Sequence, residues 1–323
     1  MIDIEEEEDA KLEREEILQK LLEFGIPYFQ NKKEIEKLSK RLKNLPEIER
    51  KKWEMTLREL GIYYINSNSL TPDEILSKLG RNNPALIVLP SCTALDLMTD
   101  FNLKPPRAFA PKSKTEYVAA SHINKSNSLR KRSEWADSAL MPEDKLSKIG
   151  KERIAPLFRV SSRISLVDRY AFSTFLSNGD DSGLSWFLNQ LDHSVRKTCK
   201  ISIFSTYSPD RKTSKPPIDT DIWVDQIQNR LENVNGELNV HLGPDYLYRE
   251  KAHDRYLRVN DRRVIDIGKG VDAFSGWRIK QRSSFNYSAL KRSKDIDYYR
   301  RFEDDLRRPD SIHTFVRVLG EGF

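Results

Sequence analysis

The sequence predicts an α/β protein with a helical N-terminal arm, and three observations carry that prediction. Apolar residues recur at helical spacing through the first 60 residues, short β-prone runs then alternate with helical segments, and the composition is that of a folded chain. Of 323 residues, 38% are hydrophobic and 32% charged, which excludes wholesale disorder and gives length enough for two cores under a charged surface.

Between Asp9 and Leu60, the residues Leu12, Ile17, Leu18, Leu21 and Leu22, then Ile35, Leu38 and Leu42, fall on helical faces among many charges. Pro27 and Pro46 interrupt the pattern and Gly61 ends it, so residues 1–60 read as an amphipathic arm of three helices, either solvated or docking a partner. Residues 61–110 read as a small α/β unit. Ile62 to Ile65 is a short strand, Thr71-Pro72-Asp73-Glu74 starts a helix, and Ala85 to Leu89 is a buried strand ended by Pro90. Residues 111–150 read as a basic linker rich in serine and asparagine, whose Arg130, Lys131 and Arg132 are candidate nucleic-acid contacts or simply solvated charges.

A second α/β unit begins at Lys151, where KERIAPLF is helical and leads to the buried strand Ile164 to Val167, ending in Asp168-Arg169-Tyr170. Charged residues at such a strand end line the crevice of an open α/β sheet. A helix at Ser182 to Leu191, a strand at Cys199 to Phe204, a helix at Ile222 to Leu231 and a strand at Leu238 to Leu242 follow. The basic loop Ser208 to Pro217 carries Arg211 and Lys212, two further candidate nucleic-acid contacts. The stretch from His253 to Phe274 then reads as a hairpin: Leu257 and Val259 on one strand, Val264, Ile265 and Ile267 on the next, with Asn260-Asp261 as a two-residue turn. Residues 277–323 form a basic aromatic tail in which Arg278, Lys280 and Arg282, beside Trp277, Phe285 and Tyr287, suit nucleic acid.

Other classes are set aside. Only Cys92 and Cys199 are present, so neither a disulfide framework nor a cysteine zinc site can be assembled, and a reducing, cytoplasmic setting is expected. The acidic run Glu5 to Asp9 stands where a secretory signal would be basic and then apolar, and no apolar run reaches the roughly 20 residues of a membrane span. The chain lacks a Walker loop, a Rossmann glycine fingerprint, His-Glu-x-x-His and Gly-x-Ser-x-Gly. Cys92 after its strand has no identifiable base, and Asp96 and Asp100 lack a third carboxylate, so packing and a solvated face account for them. No metal or cofactor is expected. The net charge of +6 favours a polyanionic partner, but weakly over this length.

The strand end Asp168-Arg169-Tyr170, followed by His253-Asp254-Arg255 and by Asp266-Ile267-Gly268-Lys269-Gly270-Val271-Asp272, resembles the phospholipase D-like domain at the C-terminus of the MIT-domain protein family. That family pairs Asp-x-Tyr with His-Asp-Arg and Ile-Gly-Arg-Gly-Leu-Asp; here Lys269 and Val271 replace its arginine and leucine, and Arg169 replaces its proline. The resemblance covers residues 151–276 and implies a mixed sheet flanked by helices. It further implies a phosphate site with Arg255, Gly268, Lys269 and Gly270 as binding residues, and Asp168, Tyr170, Asp254 and Asp272 as orienting ones.

Catalytic relatives use a histidine nucleophile, a lysine two residues later and an aspartate seven residues after the histidine. His253 has Arg255 at the lysine position but Asn260 at the aspartate position, and no other histidine has a basic residue two positions on. Three readings stay open: a buried polar network, a phosphate cradle of Arg255, Lys269 and the glycine amides, or a nucleophilic His253 completed by a second copy. The expected function is therefore phosphate binding, foremost nucleic acid, by a non-catalytic or weakly catalytic subunit of a larger assembly. A metal-independent phosphodiesterase or nuclease and an anionic phospholipid module are the alternatives. A protein partner or homo-oligomer is expected, an anionic membrane surface is the further candidate partner, and the resemblance extends to prokaryotic anti-phage proteins.

Overall fold

The computed structural model describes residues 14–15, 17–18, 28–29, 36, 38–40, 42–60, 63–64, 86–89, 107–109, 116–119, 126–136, 138–159, 161–195, 198–207, 219–251, 255–261, 263–289 and 293–320. It is a mixed α/β structure in two compact units, Met1–Glu134 and Trp135–Phe323. No helix among the described residues is long and apolar enough to cross a membrane.

In the first unit, helix α1 (Glu47–Leu60) begins right after Pro46 with Glu47 and Glu49 in its first turn, where carboxylates suit the helix dipole. Glu49 is buried and takes both Nε (2.5 Å) and Nη2 (3.3 Å) of Arg14, while Leu18, Leu42 and Leu57 are buried. Strand β1 (Tyr28–Phe29) pairs in parallel with β2 (Tyr63–Tyr64). Strands β3 (Leu86–Leu89), β4 (Arg107–Phe109) and β5 (Glu116–Ala119) form a three-stranded sheet with β5 central, parallel to β3 and antiparallel to β4. The stretch expected as a linker therefore supplies that central strand, because Tyr117 and Val118 are β-prone residues inside the basic tract. It also supplies helix α2 (Asn127–Ala136), capped by the Ser126 hydroxyl, which accepts from the Leu129 amide at 3.1 Å. The helix start at Thr71, Cys92, Asp96 and Asp100 lie outside the described residues.

The second unit is built on a seven-stranded mixed sheet. Its strands are β6 (Arg163–Val167), β7 (Cys199–Thr206), β8 (Gly236–Gly243), β9 (Tyr256–Val259), β10 (Arg263–Asp266), β11 (Asn286–Ala289) and β12 (His313–Leu319), in the spatial order β11-β10-β9-β6-β7-β8-β12. The central β6, β7 and β8 are mutually parallel and every outer pairing is antiparallel. Helices α3 (Ala171–Asn178) and α4 (Gly183–Ser194) connect β6 to β7, and α5 (Thr220–Gln228) precedes β8, as parallel crossovers require. Alternation along each strand divides the apolar side chains between two faces. Leu166, Ile201, Ile203, Val240, Leu257 and Ile265 join the large core with Phe172, Phe175 and Leu188, whereas Val167, Phe204, Tyr256 and Val264 meet Leu306 on the other side.

The hairpin forms, with a difference. Val259 pairs with Arg263, so three residues connect β9 and β10 instead of two, and Asn260 takes the left-handed conformation at φ 53° that asparagine tolerates. Its side-chain oxygen accepts from the Ser162 amide (3.0 Å) and the Arg163 amide (3.2 Å), so the residue at the expected aspartate position ties the turn to β6. The presumed tail differs more. Residues 277–323 carry β11 and β12, the two edge strands of the sheet, and helix α6 (Ser293–Arg307), which covers its second face.

Candidate phosphate site

Strand β6 ends by delivering Asp168 into the protein, where it is only 1% exposed. Its carboxylate accepts the amide hydrogens of Tyr170 (3.0 Å) and Val271 (2.6 Å), which pins the turn after β10 to the end of β6. Burial pushes the Asp168 carboxyl up to about 6, against the opposing pull of those two amides and of Arg255. Gly270 lies at φ 74°, and a Cβ there would overlap both the Asp168 carboxylate and the Arg255 side chain. Only glycine fits this crossing.

Arg255 stands at the start of β9. Its Nη1 donates to the Lys269 carbonyl at 2.5 Å, its Nε is 3.9 Å from Asp168, and its guanidinium lies 4.9 Å from the centre of the Tyr170 ring. A second guanidinium, that of Arg169, lies 4.8 Å from the same ring centre. Arg169 makes a bidentate pair with buried Asp245 at 2.6 and 2.7 Å, a carboxylate it shares with Arg249 at 2.9 Å. The Arg169–Asp245 pair was not legible in the sequence, since the two residues lie far apart along the chain and meet only once β6 and β8 are parallel neighbours of β7.

A depression of about 320 Å³ opens here, lined by Arg255, Lys269, Asp272, Ala273, Ser275, Lys280 and Gln281. Lys269 is exposed and its ammonium donates to the neutral Gln281 side chain. Lys280 is exposed, and among the described residues no carboxylate pairs with it or with Lys269. Asp272 is half-buried, its carboxyl raised by burial against the pull of Thr174 and Arg255. Three cations thus line the depression beside one carboxylate, Asp272, with Asp168 behind Arg255.

Three amides of the turn expected to cradle an anion are engaged internally. Lys269 donates to the Ser283 hydroxyl (3.1 Å), Gly270 to the Ile267 carbonyl and Val271 to Asp168. The side chains of Arg255, Lys269 and Lys280 line the depression and are placed to meet a ligand. Gly268 serves close packing, since a Cβ there would overlap Ser284. Lys280, expected only as a tail contact, belongs to this depression, and Gln281 and Ser275 went unnoticed because uncharged residues after a turn give no signal of their own.

The other expected residues are distributed differently. His253, Asp254, Arg211 and Lys212 lie outside the described residues. Arg282 is exposed and lines a separate depression of about 460 Å³ with Ala139, Ser283, Ser284 and Asn286. Arg278 pairs with Glu143 and lies 3.9 Å over the Trp277 ring. On α2, Arg130 pairs with Glu134 at 2.9 Å and Lys131 is exposed, while the side chain of Arg132 lies outside the described residues. Among the described residues no group of three or more His, Cys, Asp or Glu side chains is placed to hold a metal. Compared with protein-family models and with curated proteins, the chain matches none.

Proposed function

We propose that the depression bounded by Arg255, Lys269 and Lys280 holds a phosphate of a polyanionic polymer, foremost nucleic acid, and that the protein acts as a phosphate-binding, non-catalytic or weakly catalytic subunit of a larger assembly. One observation carries this reading: three cations of separate sequence origin share an open depression, and the Arg255 guanidinium is held off the buried Asp168 carboxylate at a loose 3.9 Å. A guanidinium with its stem fixed by a carbonyl and an aromatic face is prepared to donate to phosphate oxygens at little further entropic cost. The phospholipase D-like reading of the fold is supported by three parallel strands flanked by antiparallel ones, with Asp168 at a strand end against the Gly268-Lys269-Gly270 turn.

Fluorescence anisotropy with a labelled oligonucleotide, in EDTA, tests the proposal. Arg255→Ala and Lys269→Ala are each expected to weaken binding roughly tenfold, as charge-assisted hydrogen bonds to phosphate are worth about 1.5–3 kcal/mol. Each is also expected to flatten the slope of log affinity against log salt by about 0.7 for a single strand. Equal binding by all three proteins would overturn the reading. Cleavage of the oligonucleotide that disappears in His253→Ala would replace a binding subunit with a nuclease.

A further inference from the structure

We propose that Trp277 is a stacking platform for an unpaired nucleobase, so that the polymer at the Arg255–Lys269–Lys280 depression is single-stranded nucleic acid; this rests on the phosphate reading above. Trp277 is 68% exposed, on the segment that joins the depression to β11. Indole surface of that size left in water gains much from being covered by a flat aromatic partner.

The ring is held in place. The Arg278 guanidinium lies 3.9 Å from its centre and is itself anchored by Glu143. The backbone beneath is fixed by the Leu146 amide donating to the Trp277 carbonyl (3.1 Å) and by the pair Glu143 amide to Ile279 carbonyl and Ile279 amide to Asp144 carbonyl (both 2.9 Å). A platform of this kind loses little entropy when a base settles on it.

Its position fits the phosphate site. Ser275 and Lys280, two residues before and three after the tryptophan, line the depression, and Gly276 turns the chain between them at φ 91°. The Cα atoms of Ser275 and Trp277 are at most about 7 Å apart, the reach of two residues, so the tryptophan's backbone adjoins the lining of the depression. In a duplex the base faces are covered by one another, whereas a splayed single strand offers them to aromatic side chains. An anionic membrane would share the phosphate chemistry of the depression but offers no flat base to the indole, so the vesicle arm of the test separates the two occupants.

The test compares wild type, Trp277→Ala, Trp277→Phe and Arg255→Ala on three probes: labelled oligo(dT), an abasic oligonucleotide of equal length, and phosphatidylserine vesicles. Trp277→Ala is expected to weaken oligo(dT) binding about tenfold or more, in the range measured for base stacking, and to leave abasic binding and the melting temperature unchanged. Trp277→Phe should restore most of the loss, and Arg255→Ala should weaken both oligonucleotides. If Trp277→Ala affects the two oligonucleotides equally or not at all, or if only vesicles bind in a Trp277-dependent way, the stacking proposal is overturned. Unchanged binding of both oligonucleotides by Arg255→Ala would instead remove the phosphate site itself, so the two failures are told apart.

Discussion

Asp168 holds two backbone amides while shut away from water, and the two facts pull its ionisation in opposite directions, with burial the stronger. The folded protein takes up the Asp168 proton near pH 6, the unfolded chain near its ordinary value of 3.8. Between these values the folded state holds the extra proton, so this group's contribution to stability is complete below about pH 4 and is lost as pH rises through 6. Asp168→Asn removes that titration. The melting temperature of wild type, measured relative to the variant in steps from pH 4 to 7, should fall across the window; a constant difference would mean that the carboxylate does not titrate there. Gly270→Ala tests the same crossing sterically, and a loss of about 1–3 kcal/mol in urea unfolding is expected from the left-handed backbone alone. Asp168, Arg255 and the glycines stand out in the sequence as three separated short motifs in a fixed order, and the fold brings Asp168, Arg255 and Gly270 together. The hydrogen bonds that occupy the amides of Lys269 and Val271 were not legible there, since they depend on Ser283 and Asp168, which reach the turn only through the fold.

At the scale of elements, helix α6 explains why a charged stretch belongs to the domain. Ile296, Tyr299, Phe302 and Leu306 recur at helical spacing and pack beneath the sheet, a stripe hidden in the sequence by the lysines and arginines around it. Within that face Glu303, 1% exposed, receives Nε and Nη2 of Arg258, 7% exposed, at 2.7 and 2.6 Å, and the hydroxyl of Ser165 at 2.9 Å. Arg258 also reaches Asp261 at 2.8 Å, so a strand, its turn and a helix share one ionic junction. Breaking it from one side leaves a charge stranded in the interior. Arg258→Met or Glu303→Leu alone should cost about 3–5 kcal/mol, while the double variant should recover much of that loss. Urea denaturation of the cycle gives the coupling directly, and additive losses would show that the pair contributes nothing as a pair.

For the whole molecule, the order of the central elements was readable from residue 151 onward, because buried parallel strands and their crossover helices carry strong apolar signals. The domain's end was not. An edge strand such as β12 alternates exposed and half-buried residues, so its run of His313 to Leu319 differs little from a solvated tail until its partner β8 is known. Because β11 and β12 stand at opposite edges, a chain stopped at Gly276 would leave the outer edges of β10 and β8 unpaired and would strip α6 from Val167, Phe204, Tyr256 and Val264. Exposed strand edges beside an uncovered apolar face lead to association instead of folding. The fragment 135–323 should therefore unfold in one cooperative urea transition, whereas 135–276 should aggregate or bind a hydrophobic dye without fixed aromatic circular dichroism. Arg255, Lys269, Lys280 and Trp277 all lie in the longer fragment, so it should also keep the oligo(dT) affinity of the full chain at equal salt. A tenfold or greater loss in a fragment that still unfolds cooperatively would assign part of the binding surface to residues 1–134, and would turn the search for nucleic-acid contacts toward Arg130 and Lys131 on α2.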